Sequence, residues 1–93
     1  MNIEFDPAKD LSNTLKHGVS LNYAQYLEWS NALIWNDTRR DYGELRKIAL
    51  APYQSRLYCV VFVERGDVNR IISLRKANQR EFSHYETQFD SSN

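Results

Sequence analysis

The sequence predicts an α+β fold: an antiparallel sheet of about four to five strands, with two N-terminal helices and one C-terminal helix. The main observation is the stretch 55–76, where Val, Ile, Tyr and Phe crowd two segments that flank Gly66-Asp67. Branched and aromatic side chains suit a pleated, half-buried surface, and Gly supplies the positive φ of a tight turn. We therefore expect a hairpin of strands over about 56–64 and 69–76. Apolar residues at helical spacing near both ends of the chain place the helices around these strands.

The N-terminal part of the chain predicts a short edge strand at residues 3–5, followed by a helix. Asp6-Pro7 is typical of a helix start, because Asp accepts hydrogen bonds from the free amides of the first turn and Pro suits the first helical position. Gly18 is expected to end this helix. Three apolar residues at helical spacing predict one buried stripe along it: Ala8, Leu11 and Leu15.

The middle of the chain predicts a second helix and two strands. Ser20 is a suitable cap for this helix, whose apolar face is formed by Tyr23, Ala24 and Leu27. The apolar segments 32–35 and 44–50 have the composition of strands. Pro52 is expected to end the second of them, since a central strand cannot spare an amide donor.

The C-terminal segment predicts the last helix. Asn78 and Glu81 have the spacing of a capping box, in which each side chain accepts a hydrogen bond from the other residue's amide. Three aromatic residues at helical spacing then form its apolar stripe: Phe82, Tyr85 and Phe89.

The pairing of the hairpin decides which polar side chains share a face of the sheet. If the turn has two or four residues, Tyr58 lies opposite Arg75, and one face carries Arg56, Tyr58, Ser73 and Arg75. Lys76 then falls on the other face. A three-residue turn exchanges the two sets, because a one-residue slip turns every side chain to the opposite side. Two arginines and a tyrosine at one sheet end suit a phosphate, and the alternative is that they are solvated strand ends.

The pairing of the preceding strand is open as well. If its loop shifts the register so that Leu50 faces Arg56, Glu44 and Arg46 share the face of Arg56 and Tyr58. An even-length loop puts them on the opposite face.

Composition bounds the class of protein. The chain has 93 residues, which suits a single domain spanning residues 1–93. We expect a soluble, cytoplasmic protein, because no signal peptide or membrane-spanning segment is apparent. One Cys and two His give no metal-ligand spacing, so we predict neither a metal site nor a cofactor.

Charge is segregated along the chain although its formal sum is zero. Residues 39–80 hold ten Lys and Arg against four Asp and Glu. A neutral total argues against general affinity for nucleic acid, but a basic middle permits a local anion site. The alternative is charge balance for solubility.

Two motifs, read together, resemble the BrnT family. The early one is Lys16-His17-Gly18-Val19-Ser20, and the late one is Arg70-Ile71-Ile72-Ser73 with Arg75. Further matches in order include Gly43-Glu44 with Arg46, and Glu64-Arg65-Gly66. The resemblance covers residues 3 to about 86. The chain departs from the usual pattern at Ala49-Leu50, where the family has a Gly, and in its dense aromatic residues.

The resemblance implies a RelE-like fold and an endoribonuclease toxin of a type II toxin–antitoxin system, which cleaves RNA without a metal ion. Its partner would be a BrnA-like antitoxin in a heterotetramer of two toxins and two antitoxins, and operator DNA would be bound only through the antitoxin. The alternative is a BrnT-like protein that has lost cleavage and serves as a binding partner or co-repressor. The neutral total charge favours this alternative.

The resemblance also implies roles for individual residues. By matching position, Glu44 would be the general base, while Arg56 and Arg75 would bind the phosphate. The remaining RNA contacts would come from Lys16, His17, Arg46, Tyr58 and Lys76. Lys16 and His17 would act as acid or phosphate contacts if the first helix ends near the sheet edge. Two alternatives are structural: Glu44 as an ordinary surface carboxylate, and His17 as a helix-end cap.

Overall fold

The computed structural model describes residues 2–90, with side chains for residues 2–88. Within this range the chain forms a five-stranded mixed sheet, two α-helices and two 3₁₀ helices. The strands are β1 (Asn2–Glu4), β2 (Leu33–Asn36), β3 (Lys47–Tyr53), β4 (Arg56–Arg65) and β5 (Val68–Lys76). The helices are α1 (Pro7–His17), a first 3₁₀ helix (Leu21–Tyr26), a second 3₁₀ helix (Trp29–Asn31) and α2 (Gln79–Asp90). None of the described helices has the length and apolar character needed to cross a membrane.

The sheet order β1-β5-β4-β3-β2 confirms the predicted α+β class and corrects one strand direction. β2 to β5 form an antiparallel meander, whereas β1 pairs with β5 in parallel. The expectation of a purely antiparallel sheet was therefore wrong for β1. Turn chemistry between consecutive strands predicts a meander, but β1 and β5 lie at opposite ends of the chain and no local signal sets their direction.

A β-bulge in β5 changes the predicted faces of the hairpin. Near the turn, Arg65 pairs with Val68, as a two-residue turn requires. The register then shifts between Val61 and Phe62, and Ile72 is the extra residue on β5. Beyond the bulge, Tyr58 lies opposite Lys76, and Arg75 lies opposite Cys59. The predicted grouping of Arg56, Tyr58, Ser73 and Arg75 on one face was wrong. The extra residue reverses the face on which each later side chain of β5 lies, so Ser73 and Arg75 lie on the opposite face from Arg56 and Tyr58.

β3 differs from its prediction at both ends. It begins at Lys47 rather than Glu44, and Pro52 lies within it instead of ending it. The carbonyl of Pro52 accepts a hydrogen bond from the Glu28 amide at 2.8 Å. The carbonyl and the nitrogen of Pro52 therefore both point away from β4. β2 pairs with β3 only as far as Leu50. The missing amide of Pro52 therefore interrupts no ladder between strands.

The sheet has a hydrophobic cluster on each face. We call the face that contacts the first 3₁₀ helix the first face. The cluster on this face contains ten buried residues from the sheet and from the segment that covers it: Leu21, Ala24, Leu27, Ala49, Ala51, Tyr58, Val60, Phe62, Ile71 and Leu74. The second face buries Ile48, Leu50, Leu57 and Cys59, with Tyr85 of α2 packed against them. Both faces are covered, which explains the near-continuous apolar run of β4.

α1 corrects the prediction of a buried apolar stripe. Leu11 and Leu15 are 65% and 81% exposed, and Asn13 is the buried residue of the helix. The Asn13 amide donates to the Leu74 carbonyl at 2.7 Å, and its oxygen accepts from the Leu74 amide at 3.2 Å. β1 pairs with β5 only at residues 68–70, and α1 covers the edge of β5 beyond them. There the Asn13 side chain makes the hydrogen bonds that a neighbouring strand would make. Helical spacing alone does not distinguish a helix on an edge from one on a face.

The second predicted helix is a 3₁₀ helix. Ser20 caps it as expected, because its hydroxyl accepts from the Asn22 amide at 3.1 Å. It spans only six residues, a length at which the tighter helix is common. Of the predicted apolar face, Ala24 and Leu27 are buried and Tyr23 is half-buried, while the buried Leu21 was not part of the prediction.

α2 begins with the predicted capping box. Asn78 accepts from the Glu81 amide at 2.8 Å, and Glu81 accepts from the Asn78 amide at 2.9 Å. Of the predicted stripe, Tyr85 packs against the second face and donates to the Asn31 carbonyl at 2.6 Å, whereas Phe82 is 42% exposed. The side chain of Phe89 lies outside the described residues.

We expect Asn13→Ala to lower the free energy of unfolding by about 2–4 kcal/mol, because it leaves the amide and carbonyl of Leu74 buried without partners. Urea denaturation followed by circular dichroism measures this. Ser12→Ala, on an exposed position of the same helix, should change stability by less than about 0.5 kcal/mol. Equal effects of the two substitutions would contradict the role of Asn13.

Candidate active site

Three elements end together at one end of the sheet. β4 begins at Arg56, β5 ends at Lys76, and α1 ends at His17. The pairing of Tyr58 with Lys76 aligns the two strands, while the contact of Asn13 with Leu74 ties the last turns of α1 to β5. Five basic residues lie on the ends of these three elements, which we call together the cationic end: Lys16, His17, Arg56, Arg75 and Lys76.

Most cations at this end keep their charge unneutralised. Across the described residues, Lys16, Arg56 and Lys76 form no ion pair with a carboxylate. The opposite end of the sheet differs, because Lys47 pairs there with Glu64, and Arg65 pairs with Glu44. Although the formal net charge of the chain is zero, one end of the sheet therefore has an excess of positive charge.

The turn after α1 fixes the position of Lys16 and His17. Gly18 has a φ of 75°, and its amide donates to the Thr14 carbonyl at 2.8 Å. A side chain at this left-handed position would be strained, so glycine suits the tight reversal. Asp10 then accepts hydrogen bonds from the Ser20 hydroxyl at 2.8 Å and the Leu21 amide at 2.7 Å. These contacts hold the end of α1 against the first 3₁₀ helix.

A cleft of about 230 Å³ opens between α1 and the bulged part of β5. It is lined by Lys9, Ser12, Asn13, Lys16, His17, Ile72 and Ser73. The lining is polar and basic, which suits an anionic ligand.

His17 has properties of a proton acceptor at neutral pH. Partial burial lowers its pKa below the ordinary value of 6.5, and the charges of Lys16 and Arg75 lower it further. The imidazole is therefore mostly neutral at pH 7 and has a nitrogen available to take a proton. The prediction that Lys16 and His17 act near the RNA depended on α1 ending at the sheet edge, and α1 does end there.

Arg75 is held by Glu81 through two hydrogen bonds. Nη1 donates to Oε1 and Nη2 to Oε2, each at 2.8 Å. This guanidinium lowers the pKa of Glu81, which therefore stays ionised and also caps α2. The sequence identified Glu81 only as a capping residue. Its pairing with Arg75 was missed, because it depends on how α2 turns back over β5.

Arg56 and Lys76 lie on the first face of the sheet, whereas Arg75 lies on the second face. Arg56 is exposed and faces Tyr53 across the hairpin of β3 and β4. Tyr58, expected as an RNA contact, is only 7% exposed and belongs to the buried cluster of the first face. Its ring has little surface to offer a ligand.

Glu44 and Arg46 lie at the far end of the sheet. Glu44 is 3.4 Å from Nη2 of Arg65 and 3.6 Å from Nε of Arg46. β4 has ten residues and rises about 3.3 Å per residue, so Arg65 and Arg56 are about 30 Å apart. The structure therefore does not bring Glu44 together with Arg56 and Arg75. The reason is that β3 begins after Glu44 and runs back toward the cationic end.

A buried carboxylate organises the loop that carries Glu44. Asp37 accepts from Nε and Nη2 of Arg39 at 2.8 and 2.7 Å, and from the Tyr42 hydroxyl at 3.1 Å. These bonds, with Arg39 as the main cause, hold the pKa of Asp37 well below its usual range. The guanidinium of Arg46 lies 4.2 Å from the centre of the Tyr42 ring. This cluster fixes the loop far from the unpaired cations.

Among the side chains described here, those of residues 2–88, no three His, Cys, Asp or Glu lie close enough together to hold a metal ion.

Comparisons with known proteins point to a family. The family model described as "Ribonuclease toxin, BrnT, of type II toxin-antitoxin system" matches residues 5–81, which is most of the 93-residue chain. No curated protein matches the chain significantly. The matched range contains the whole cationic end as well as Glu44 and Arg46. This chain therefore belongs to the BrnT family of ribonuclease toxins of type II toxin–antitoxin systems.

Proposed function

We propose that this ribonuclease toxin binds and cleaves RNA at the cationic end of the sheet, without a metal ion. The observation that carries the proposal is the surplus of Lys and Arg without carboxylate partners among the described residues of this end, where Lys16 and His17 line one cleft beside β5. The pKa of His17 is lowered there, which favours the neutral imidazole. Cations bind the phosphodiester backbone, and a neutral imidazole removes a proton. The far end of the sheet has the opposite property, because its cations are paired with carboxylates.

His17 is the general base of the proposed reaction. It takes the proton of a ribose 2′-hydroxyl, and the resulting oxygen attacks the adjacent phosphorus. The bond from phosphorus to the 5′-oxygen then breaks. The products are a 2′,3′-cyclic phosphate and a 5′-hydroxyl end. The leaving 5′-oxygen takes its proton from Lys16, since arginine holds its proton too tightly to act as an acid at neutral pH.

The cations stabilise the negative charge that develops on phosphorus. Arg56 is exposed and has no carboxylate partner among the residues that the structure describes, so its guanidinium is available to donate to phosphate oxygens. Lys76 contributes on the same face. Arg75 lies close enough to influence the pKa of His17, and Glu81 holds it in one orientation. Its pairing with Glu81 reduces the charge that it offers to RNA.

Glu44 has a structural role in this proposal. It bridges Arg46 and Arg65 at the far end, about 30 Å from Arg56 along β4. A carboxylate at this distance does not reach a phosphate held by Arg56.

Membership of a type II family implies an antitoxin protein. We infer that this antitoxin is BrnA-like, that two copies of each protein form a heterotetramer, and that operator DNA is bound through the antitoxin. We also place the toxin in the cytoplasm and assign its sheet to the RelE-like class. The motifs of residues 16–20 and 70–75 support these assignments.

A second candidate function is a non-catalytic antitoxin partner or co-repressor. The pairing of Arg75 with Glu81 favours it, because a neutralised arginine contributes less to catalysis. It predicts that expression of the chain leaves cellular RNA intact.

Expression of the wild type should arrest growth and produce RNA with new 5′-hydroxyl ends. Arg56→Ala should lower cleavage roughly 10²- to 10³-fold, the usual effect of removing a donor to a developing oxyanion. Growth curves and mapping of RNA 5′ ends measure this. Arg40→Ala removes an exposed loop arginine and should cleave normally. Intact RNA with soluble, folded wild type would instead support the non-catalytic function.

The rate of cleavage by the wild type should rise with pH and reach a plateau by about pH 7. A base acts only when deprotonated, and the pKa of His17 is lowered, so the inflection should lie below about 6.5. His17→Gln should lower the rate about 10²- to 10⁴-fold and abolish the inflection. The measurement is kcat/KM on a short oligoribonucleotide between pH 5 and 8. An unchanged profile in this variant would exclude His17 as the base.

Glu44→Gln tests whether cleavage depends on the far end of the sheet or on the cationic end. We expect it to retain cleavage within about threefold and to reduce stability by about 1 kcal/mol or less, because the pairs that it breaks are partly exposed. The same oligoribonucleotide assay and urea denaturation measure these quantities. Loss of cleavage with unchanged stability would move the catalytic centre to Glu44.

A further inference from the structure

Four tyrosines form one ring cluster on the first face of the sheet. Tyr23 lies at its centre, with ring centroids 5.7 Å from Tyr26, 5.3 Å from Tyr53 and 5.4 Å from Tyr58. The rings of Tyr26 and Tyr53 are 6.1 Å apart. We call these residues the tyrosine cluster. Edge-to-face and tilted contacts of this kind hold rings in defined orientations.

Exposure increases across the cluster from the sheet outward. Tyr58 is 7% exposed, Tyr23 and Tyr53 are half-buried, and Tyr26 is 52% exposed. The inner rings belong to the core of the first face. The outer ring contributes less to that core and leaves much of its surface in water. Tyr26 is thus an exposed ring that neighbouring rings hold in place, rather than a core residue.

The backbone that carries Tyr26 is fixed. Ser20 caps the first 3₁₀ helix by accepting from the Asn22 amide. Ala24 is fully buried, and its carbonyl accepts from Nε1 of Trp29 at 2.8 Å. A ring that is already held in place loses little conformational entropy on binding a flat ligand.

The tyrosine cluster lies beside two unpaired cations. Tyr53 is directly opposite Arg56, and Tyr58 is directly opposite Lys76. Directly opposed residues share a face, with Cβ atoms about 4.5–5.5 Å apart. Neither cation has a carboxylate partner among the described residues. Proteins that bind single-stranded nucleic acid combine the same two features: aromatic rings for bases, and cations for the backbone.

We propose that the tyrosine cluster is a base-stacking subsite for single-stranded RNA, with Tyr26 as the ring that contacts the base. Arg56 holds the phosphate of an adjacent nucleotide. The inference rests on the proposed binding of RNA at the cationic end and adds a contact for the bases. Purines overlap an aromatic ring over a larger area than pyrimidines do. The subsite therefore favours a purine at the stacked position.

The test measures binding of fluorescein-labelled 2′-O-methyl oligoadenylate and oligouridylate ten-mers by anisotropy. The 2′-O-methyl group removes the attacking hydroxyl, so binding is separated from cleavage. The wild type should bind the adenylate more tightly. Tyr26→Ala should weaken binding of the adenylate roughly 5- to 150-fold, the range for loss of one stacked base. It should also remove the preference for adenylate.

Three further variants make the result specific. Tyr26→Phe keeps the ring and should bind as the wild type does, whereas Tyr26→Leu keeps apolar volume without the ring and should bind as weakly as Tyr26→Ala. The leucine variant also serves if the alanine variant fails to fold, as judged by its thermal midpoint. Trp35→Ala removes a partly exposed ring that contacts His84 of α2, and should leave binding unchanged.

The outcomes separate this inference from the proposed function. Wild-type affinity in Tyr26→Ala, together with weaker binding in Arg56→Ala, overturns the stacking subsite and leaves RNA binding at the cationic end in place. Wild-type affinity in both variants overturns both. Loss of affinity in Tyr26→Phe equal to that in Tyr26→Ala assigns the effect to the hydroxyl group, which also overturns stacking.

Discussion

The contact of Asn13 with the edge of β5 positions the cationic end. One buried amide donates to the Leu74 carbonyl and accepts from its backbone N–H, so a side chain takes the place of a neighbouring strand. The same amide donates to the Val19 carbonyl at 2.9 Å, just beyond the turn at Gly18. α1 consequently ends beside the end of β5. Together with the hydrogen bonds that Asp10 accepts from Ser20 and Leu21, this contact fixes the basic residues of α1 relative to the sheet.

Ion pairs divide the sheet into two electrostatically different ends. At the end formed by the start of β3 and the turn of the hairpin, carboxylates neutralise Arg46, Lys47 and Arg65. At the other end, Arg75, paired with Glu81, is the one cation that a carboxylate of the described residues neutralises. A chain with zero formal net charge thereby presents a local basic surface to an anion. For a ribonuclease toxin this arrangement limits general attraction to nucleic acid while keeping one end attractive to phosphate.

Much of the local structure followed from residue patterns. The hairpin around Gly66-Asp67, the caps at Asp6 and Ser20 and the capping box of α2 are decided by neighbouring residues, and each appears where it was expected. Five of the eight predicted site residues lie at the cationic end, whereas Glu44 and Arg46 lie at the far end and Tyr58 is buried. The roles of these residues stay predictions. Glu81 as the partner of Arg75 was not identified, and neither was the tyrosine cluster.

The sequence by itself determined the α+β class, the element types at most positions and the supply of cations. Only the tertiary structure decided on which face and at which end of the sheet each of those cations lies. The bulge at Ile72 separates Arg75 from the face of Tyr58, and the start of β3 at Lys47 keeps Glu44 at the far end. Both features depend on contacts between segments distant in the chain. A one-residue change in register reverses a face, and the local periodicity of the sequence does not record that change.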